Sequence, residues 1–293
     1  MPEPTTPDIL ALDNPAIDIV DIWVNLMTAR GAQDFLGDAA YAHIPSYLGG
    51  DGTGGVGVDA LLGAMDTNGV ATGILCPGLA GGQGVEPSLA VADAHPGRFL
   101  VAAGVATPAT PTANVQRIRE LAKHPRLSLV RVMPLATQVP INHPLHYPIY
   151  AACEELGLPV AINVGIPGPR VRSRVQHPEL LEDVLIDFPD LVIIGAHMGH
   201  PYEELLMNYM RKWPNLYLSC TAYAPRYLDP ALVRFMNTSK YRGRVLWGSD
   251  EPWFPMTRSL SEARALPLDA DAMARFLGGT ARRLLDRSAP GAA

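Results

Sequence analysis

Eight short apolar runs alternate with amphipathic stretches along this chain, and several are apolar at consecutive positions. Together they predict a single α/β domain, a (β/α)8 TIM barrel with a loop insertion after its first strand. The length of 293 residues suits that fold, which typically takes ~250. Val192-Ile193-Ile194 is the kind of run that a parallel strand covered on both faces requires. A doubly wound open sheet is the other arrangement, but no Gly-rich phosphate loop follows the first strand.

The first strand is Ile17 to Val24, apolar and β-branched. Met27 to Gly55 reads as a long irregular insertion rich in Gly, Tyr and Pro, and the Gly49-to-Gly57 stretch as a flexible loop with a lid or interface role. A helix at Val58 to Asp66 is closed by Asn68-Gly69. The second strand, Val70 to Cys76, ends at Pro77-Gly78. A helix at Glu86 to Ala94, a strand at Phe99 to Val105, a helix at Thr112 to Lys123 and a strand at Leu127 to Val132 continue the rhythm. Next come a helix at Pro148 to Leu156 stopped by Gly157, and the fifth strand at Pro159 to Val164. The helices Pro178 to Ile186, Pro201 to Lys212 and Pro230 to Asn237 separate strands at Leu191 to Ala196, Leu216 to Ser219 and Arg244 to Gly248. Ala270 to Asp286 closes the chain as a helix. Residues 1–16 read as an N-terminal extension, 17–286 as the barrel and 287–293 as a tail.

Net charge is −6 with no basic block, so the phosphate-neutralising surface of a nucleic-acid binder is not expected. No run approaches the ~20 apolar residues that span a bilayer, and Met1 to Pro15 lacks the pattern of a signal peptide. A cytoplasmic protein acting on a small molecule, without membrane or nucleic-acid partners, is the expectation. Cys76, Cys153 and Cys220 are too far apart for a CxxC pair and odd in number, so they read as reduced thiols.

Catalytic side chains of a barrel cluster at the C-terminal ends of its strands. That rule selects Trp23, Asn25, Arg131, Asn163, His197, Cys220 and Asp250. His197 ends an apolar run before Met198-Gly199, and Asp250 ends Val245-Leu246-Trp247-Gly248-Ser249. An imidazole and a carboxylate in one pocket can hold complementary protonation states near neutral pH, although a structural His–Asp pair has the same signature. Cys220 reads as packing, and Arg131 as either a salt-bridged or a substrate-facing cation. Trp23, Tyr223, Trp253 and Phe254 suit an apolar pocket wall or ordinary core packing. Arg170, Arg172 and Arg174 suit steering of an anion or a solvated charge run. His200, Glu251 and Arg226 are secondary candidates, and Glu251 beside Asp250 would raise the pKa of one carboxylate if both faced inward.

Ile19-Val20-Asp21, Pro159-Val160-Ala161-Ile162-Asn163-Val164-Gly165, Gly195-Ala196-His197-Met198-Gly199, Leu246-Trp247-Gly248-Ser249-Asp250 and the closing Phe276 to Leu284, with Thr280 where Asn is usual, occur in this order. In that order and spacing they resemble the amidohydrolase superfamily, in the branch of aminocarboxymuconate-semialdehyde and γ-resorcylate decarboxylases. The resemblance runs from about Ile17 to Leu285. It implies a barrel enzyme whose first-strand motif, Asp-x-His-x-His, falls on Asp21-Ile22-Trp23-Val24-Asn25. Two metal-binding histidines are thus replaced by Trp23 and Asn25, and a third, on strand five, by Asn163. The strand-six histidine is kept as His197 and the strand-eight aspartate as Asp250.

Catalytic zinc normally takes three protein ligands. An indole nitrogen is only a donor, and an amide oxygen is a poor ligand for this metal. The expectation is no cofactor, with a hard divalent ion held by Asp250, Asn25 and Asn163 oxygens as the alternative. The resemblance then implies a metal-independent hydrolase of a small carboxylated or cyclic, ester- or lactone-like molecule. Asp250 is the general base, His197 the general acid or carbonyl polariser, and the amides of Asn25 and Asn163 oxyanion donors. In the decarboxylase alternative, His197 protonates carbon while Arg131 seats the carboxylate. A cyclase or isomerase and a non-catalytic ligand-binding barrel complete the alternatives, the last favoured if Trp23 blocks His197. The insertion is a candidate contact for a homodimer.

Overall fold

The computed structural model describes residues 17–48, 55–77, 84–104 and 110–285. The expected N-terminal extension, the tail and most of the Gly49-to-Gly57 loop lie outside the described residues. Strands β1 (Ile19–Val24), β2 (Val70–Leu75), β3 (Phe99–Gly104), β4 (Leu127–Val132), β5 (Val160–Asn163), β6 (Ile193–Ala196), β7 (Leu216–Ser219) and β8 (Val245–Leu246) form one eight-stranded sheet in sequence order. Each neighbouring pair is parallel. The predicted (β/α)8 barrel is therefore the observed fold.

The seam between β8 and β1 is closed by a few bonds rather than a full ladder. Ile22 N–H donates to the Trp247 carbonyl at 3.5 Å, Asp250 N–H to Trp23 at 2.9 Å and Asn25 N–H to Glu251 at 2.9 Å. β8 is shorter than the expected Arg244 to Gly248 because Trp247 N–H turns away to the Phe276 carbonyl, 2.9 Å distant in the C-terminal helix. This seam brings the C-terminal ends of the first and last strands side by side.

Successive residues of the strands feed two apolar layers, as period-two alternation requires. Val20, Ile22, Ile74, Leu100, Leu129, Ile194 and Leu246 fill the barrel interior. Ile19, Leu75, Phe99, Val101, Leu127, Val130, Val160, Ile162, Ile193 and Leu218 pack outward beneath the helices.

The helices are α1 (Ala29–Gly37), α2 (Ile44–Leu48), α3 (Val58–Asn68), α4 (Val85–Ala94), α5 (Pro111–Leu121), α6 (Pro134–Thr137), α7 (Tyr147–Glu155), α8 (Leu181–Asp187), α9 (Glu203–Lys212), α10 (Pro230–Asn237), α11 (Met256–Arg264), α12 (Ala270–Ala274) and α13 (Thr280–Leu285). The insertion is not irregular throughout, since it contains α1 and α2. Thr28 starts α1 by accepting from Gly31 N–H at 3.0 Å, a capping bond that satisfies one orphan donor. Helix α11 was not expected. It buries Met256, Ser259, Leu260 and Ala263, spaced three and four apart. The expected closing helix is interrupted by a π-turn at Arg275–Gly279. Gly278 of that turn presses on the chain entering β1, where a Cβ would lie 1.8 Å from the Asp18 carbonyl oxygen. Among the described residues no helix is long and apolar enough to cross a membrane.

Candidate active site

The chain turns sharply where it leaves the last three strands. His197, Met198, Ala222 and Asp250 all have positive φ, at 65°, 67°, 52° and 76°. Non-glycine residues rarely adopt this conformation, and it costs on the order of 1–3 kcal/mol each where it is enforced. These turns aim side chains into a cavity of about 150 Å³ at the C-terminal mouth. The mouth is where barrel enzymes carry their chemistry.

Asp250 is 9% exposed, and its Oδ1 accepts from Asn25 Nδ2 at 2.9 Å. The same amide nitrogen donates to the Glu251 carbonyl at 3.0 Å, so both its hydrogens are engaged across the seam. Burial pushes the Asp250 carboxyl up to about 7, against the opposing pull of the Asn25 bond and the Arg131 charge. Glu251 contributes least to that rise. It does not share the pocket, because its Oε2 accepts from Met256 N–H at the start of α11. Asp21 lies beneath, wholly buried, accepting from Trp23 N–H and from both the backbone N–H and hydroxyl of Ser249. It staples β1 to the loop that carries Asp250.

His197 is part-buried and lines the cavity. Its Nδ1 lies 3.3 Å from the Thr221 carbonyl and 2.9 Å from the Thr221 hydroxyl. The carbonyl only accepts whereas the hydroxyl can also donate, so Thr221 accommodates either tautomer; a proton on Nδ1 leaves Nε2 as an acceptor. Burial, then the Arg131 charge, pushes the imidazole down to about 4. His197 is therefore neutral at neutral pH rather than an imidazolium.

Trp23 stands between His197 and Arg131. Its ring meets the imidazole edge-to-face at 4.7 Å between centroids, and the guanidinium lies over it at 4.1 Å. The indole forms a wall and does not close the site, since His197 and Asp250 line the same cavity. Arg131 is 1% exposed and forms no salt bridge among the described residues. It donates to the Pro77 carbonyl at 3.3 Å and contacts Met133 Sδ at 2.9 Å, while its Nε has no partner. Burial lowers its pKa, yet an arginine stays charged.

Asn163, Tyr223, Trp253 and His200 also line the cavity. His200 is tied by its Nδ1 to Glu203 at 2.7 Å. Three candidates lie outside the cavity lining. Arg170 is exposed and outside the lining. Its backbone N–H donates to the Ala40 carbonyl at 2.9 Å, which fixes the loop and leaves the side chain outward. Arg226 is exposed and paired with Glu262. Phe254 is core, 2% exposed and outside the lining. Cys220 is buried with its thiol pushed well up by burial, so it is packing rather than nucleophile.

Sequence reasoning missed Phe35, Tyr41, Ile44 and Gln176, all in the lining. The first three come from the insertion, which folds over the mouth and packs Phe35 on Trp253 at 4.8 Å. His43 Nε2, 2.9 Å from the Gly168 carbonyl, ties this roof to the loop after β5. An amphipathic reading of Ala29 to Gly37 was the available signal. Gln176 lies thirteen residues past β5 in a Pro- and Arg-rich stretch that carries no periodic signal.

The resemblance implies a metal ion at this mouth. Among the described residues, no group of three His, Cys, Asp or Glu could hold a metal ion. Trp23 offers a ring already in contact with His197 and Arg131, and Asn25 turns its NH2 to Asp250. Amide and carboxylate are partners of each other rather than joint ligands, and a guanidinium lies in the same pocket. This donor set does not fit a divalent ion.

The sequence profile of the Amidohydrolase family matches residues 45–287. No curated protein matches the chain. Among solved structures, an uncharacterized TIM-barrel protein from Bordetella bronchiseptica is 25% identical, with a TM-score of 0.75 over 91% of this chain and 97% of that one. The 5-carboxyvanillate decarboxylase of Sphingomonas paucimobilis is 18% identical, with a TM-score of 0.70 over 92% and 99%. A probable 2-pyrone-4,6-dicarboxylic acid hydrolase from Acinetobacter baumannii is 14% identical, with a TM-score of 0.65 over 91% and 98%. The last two likenesses are likenesses of fold.

Proposed function

The chain belongs to the amidohydrolase family, and from that membership we propose that it is a metal-independent hydrolase of a small carboxylated cyclic ester. The observation that carries this reading is the Asn25–Asp250 pair facing an unpaired, buried Arg131 across one aromatic-walled cavity. A carboxyl near 7 is matched to proton transfer at neutral pH, where positioned acid–base catalysis is worth ~10²–10⁴-fold. Ionised Asp250 takes a proton from water as the water oxygen bonds to the ester carbonyl carbon. The acyl C–O bond of the ring then breaks, and the departing oxygen takes that proton back from Asp250. The net change is addition of one water. Neutral His197 orients the attacking water through Nε2, an acceptor, and Arg131 holds the substrate carboxylate. Two of the fold relatives act on carboxylated rings, one of them a cyclic ester by its name.

The test is hydrolysis of pyrone mono- and dicarboxylates by protein treated with a chelator. Ring opening, followed by loss of pyrone absorbance and by a mass gain of one water, is expected to survive chelation. Activity that disappears with chelator and returns with a divalent ion overturns the metal-free reading. One observation favours a second reaction: near neutral pH both forms of Asp250 are populated, so a protonated Asp250 can supply the proton that replaces carbon dioxide. Loss of carbon dioxide from an aromatic acid, in place of added water, selects that decarboxylase reading.

A further inference from the structure

Three cavity-lining residues each carry a buried polar atom without a partner: Arg131 Nε, Asn163 Oδ1 and Gln176 Oε1. Leaving such an atom unpaired costs about 1–3 kcal/mol, so a cluster of them at one cavity calls for a ligand that completes it. Arg131 is accounted for by the carboxylate proposed above. The two acceptor oxygens are not, because a carboxylate and an ester offer them only further acceptors.

Gln176 is the informative one. It is 1% exposed, and its Nε2 donates to the Gly165 carbonyl at 2.9 Å. A carbonyl cannot donate, so the amide cannot be turned the other way. Its backbone is fixed as well, with the Gln176 carbonyl accepting from Gly165 N–H at 3.0 Å. Gly165 is itself held at φ +85° against the Gly199 backbone. The oxygen that remains is therefore a preset acceptor on a rigid loop. Asn163 ends β5, two residues before that loop, and adds a second acceptor oxygen.

We propose that Gln176 is a specificity-determining residue whose fixed Oε1 accepts a hydrogen bond from an N–H or O–H of the substrate, so that the preferred ligand is an acid bearing a donor. The inference rests on the reading that Arg131 seats a carboxylate in this cavity, and it adds the donor that the acid must carry. One neutral hydrogen bond of this kind corresponds to roughly a tenfold difference in affinity.

The probes are pyrone monocarboxylates and the pyridone monocarboxylates of the same shape, in which ring oxygen is replaced by N–H. Titration calorimetry on the full chain is expected to show at least one pyridone binding about tenfold or more tightly than its pyrone. Gln176→Met is expected to remove that preference. The wild-type comparison stands even if Gln176→Met fails to fold. Equal binding of every pair by the wild type overturns the role of Gln176, as does a preference that persists in Gln176→Met. Absence of binding by all pyrones and pyridones instead overturns the carboxylate-binding reading beneath it, and this inference with it.

Discussion

Asn25 Nδ2 donates to Asp250 Oδ1 at 2.9 Å across 225 residues of sequence, at the seam where the barrel closes. A hydrogen bond to the ionised form of a carboxylate lowers its pKa. This bond therefore works against the burial that raises Asp250 to about 7. If Asp250 acts ionised, kcat/KM rises with pH, with an inflection near 7. Removing the bond in Asn25→Ala moves that inflection upward by on the order of one pH unit, the equivalent of ~1.4 kcal/mol. An unchanged inflection in the variant breaks the link between the two residues. Asp250→Asn is expected to lose ~10²–10⁴-fold in kcat with the fold intact.

Arg131 is a buried cation that forms no salt bridge among the described residues, and its charge is felt by Asp250 in the same cavity. Its replacement by Met, of similar length, is expected to raise KM for a carboxylated substrate by roughly 30-fold or more, the range of a truncated buried charge pair. The same change removes a desolvated charge that forms no salt bridge among the described residues, so the melting temperature is expected to hold or rise. A melting temperature many degrees lower, with KM unchanged, identifies Arg131 as structural instead.

Burial raises the Asp21 carboxyl from 3.8 to about 7 despite its bonds from Ser249 and Trp23. A native state that binds this proton more tightly than the unfolded chain loses stability as pH rises from about 4 to about 7, by on the order of 4 kcal/mol. Asp21→Asn lacks that titration. Denaturant unfolding at pH 4 and pH 7 is expected to show the variant gaining relative to wild type at the higher pH. A stability difference independent of pH contradicts the raised carboxyl.

Gly165 has φ +85°, and a Cβ there would lie 2.5 Å from the Gly199 backbone. Gly165→Ala combines a left-handed alanine, about 1–2 kcal/mol, with a clash that the backbone must absorb. Loss of roughly 2 kcal/mol or more by chemical denaturation is expected, and a variant within about 0.5 kcal/mol of wild type shows that the loops after β5 and β6 can separate freely.

Local pattern was enough for the barrel. Each strand announced itself by a short apolar run, and the observed bounds differ by only a few residues, as with Val70–Leu75 and Leu127–Val132. The same rule about strand ends named Trp23, Asn25, Arg131, Asn163, His197 and Asp250, all of which line one cavity. What it could not do was orient them. The tautomer of His197 depends on Thr221, in the turn after β7. The fate of Asn25 depends on Asp250 at the far end of the chain. The exposure of Arg170 depends on a loop held by the Ala40 carbonyl, 130 residues earlier in the chain.

Periodicity records which face of an element is apolar, so the sequence by itself determined the elements, their order and the end of the barrel that carries polar side chains. Protonation states and hydrogen-bond partners depend on desolvation and on atoms brought within about 3 Å by closure of the sheet. Only the tertiary structure could therefore decide that His197 is neutral, that Asn25 serves Asp250, and that Gln176 presents an unpaired oxygen to the site.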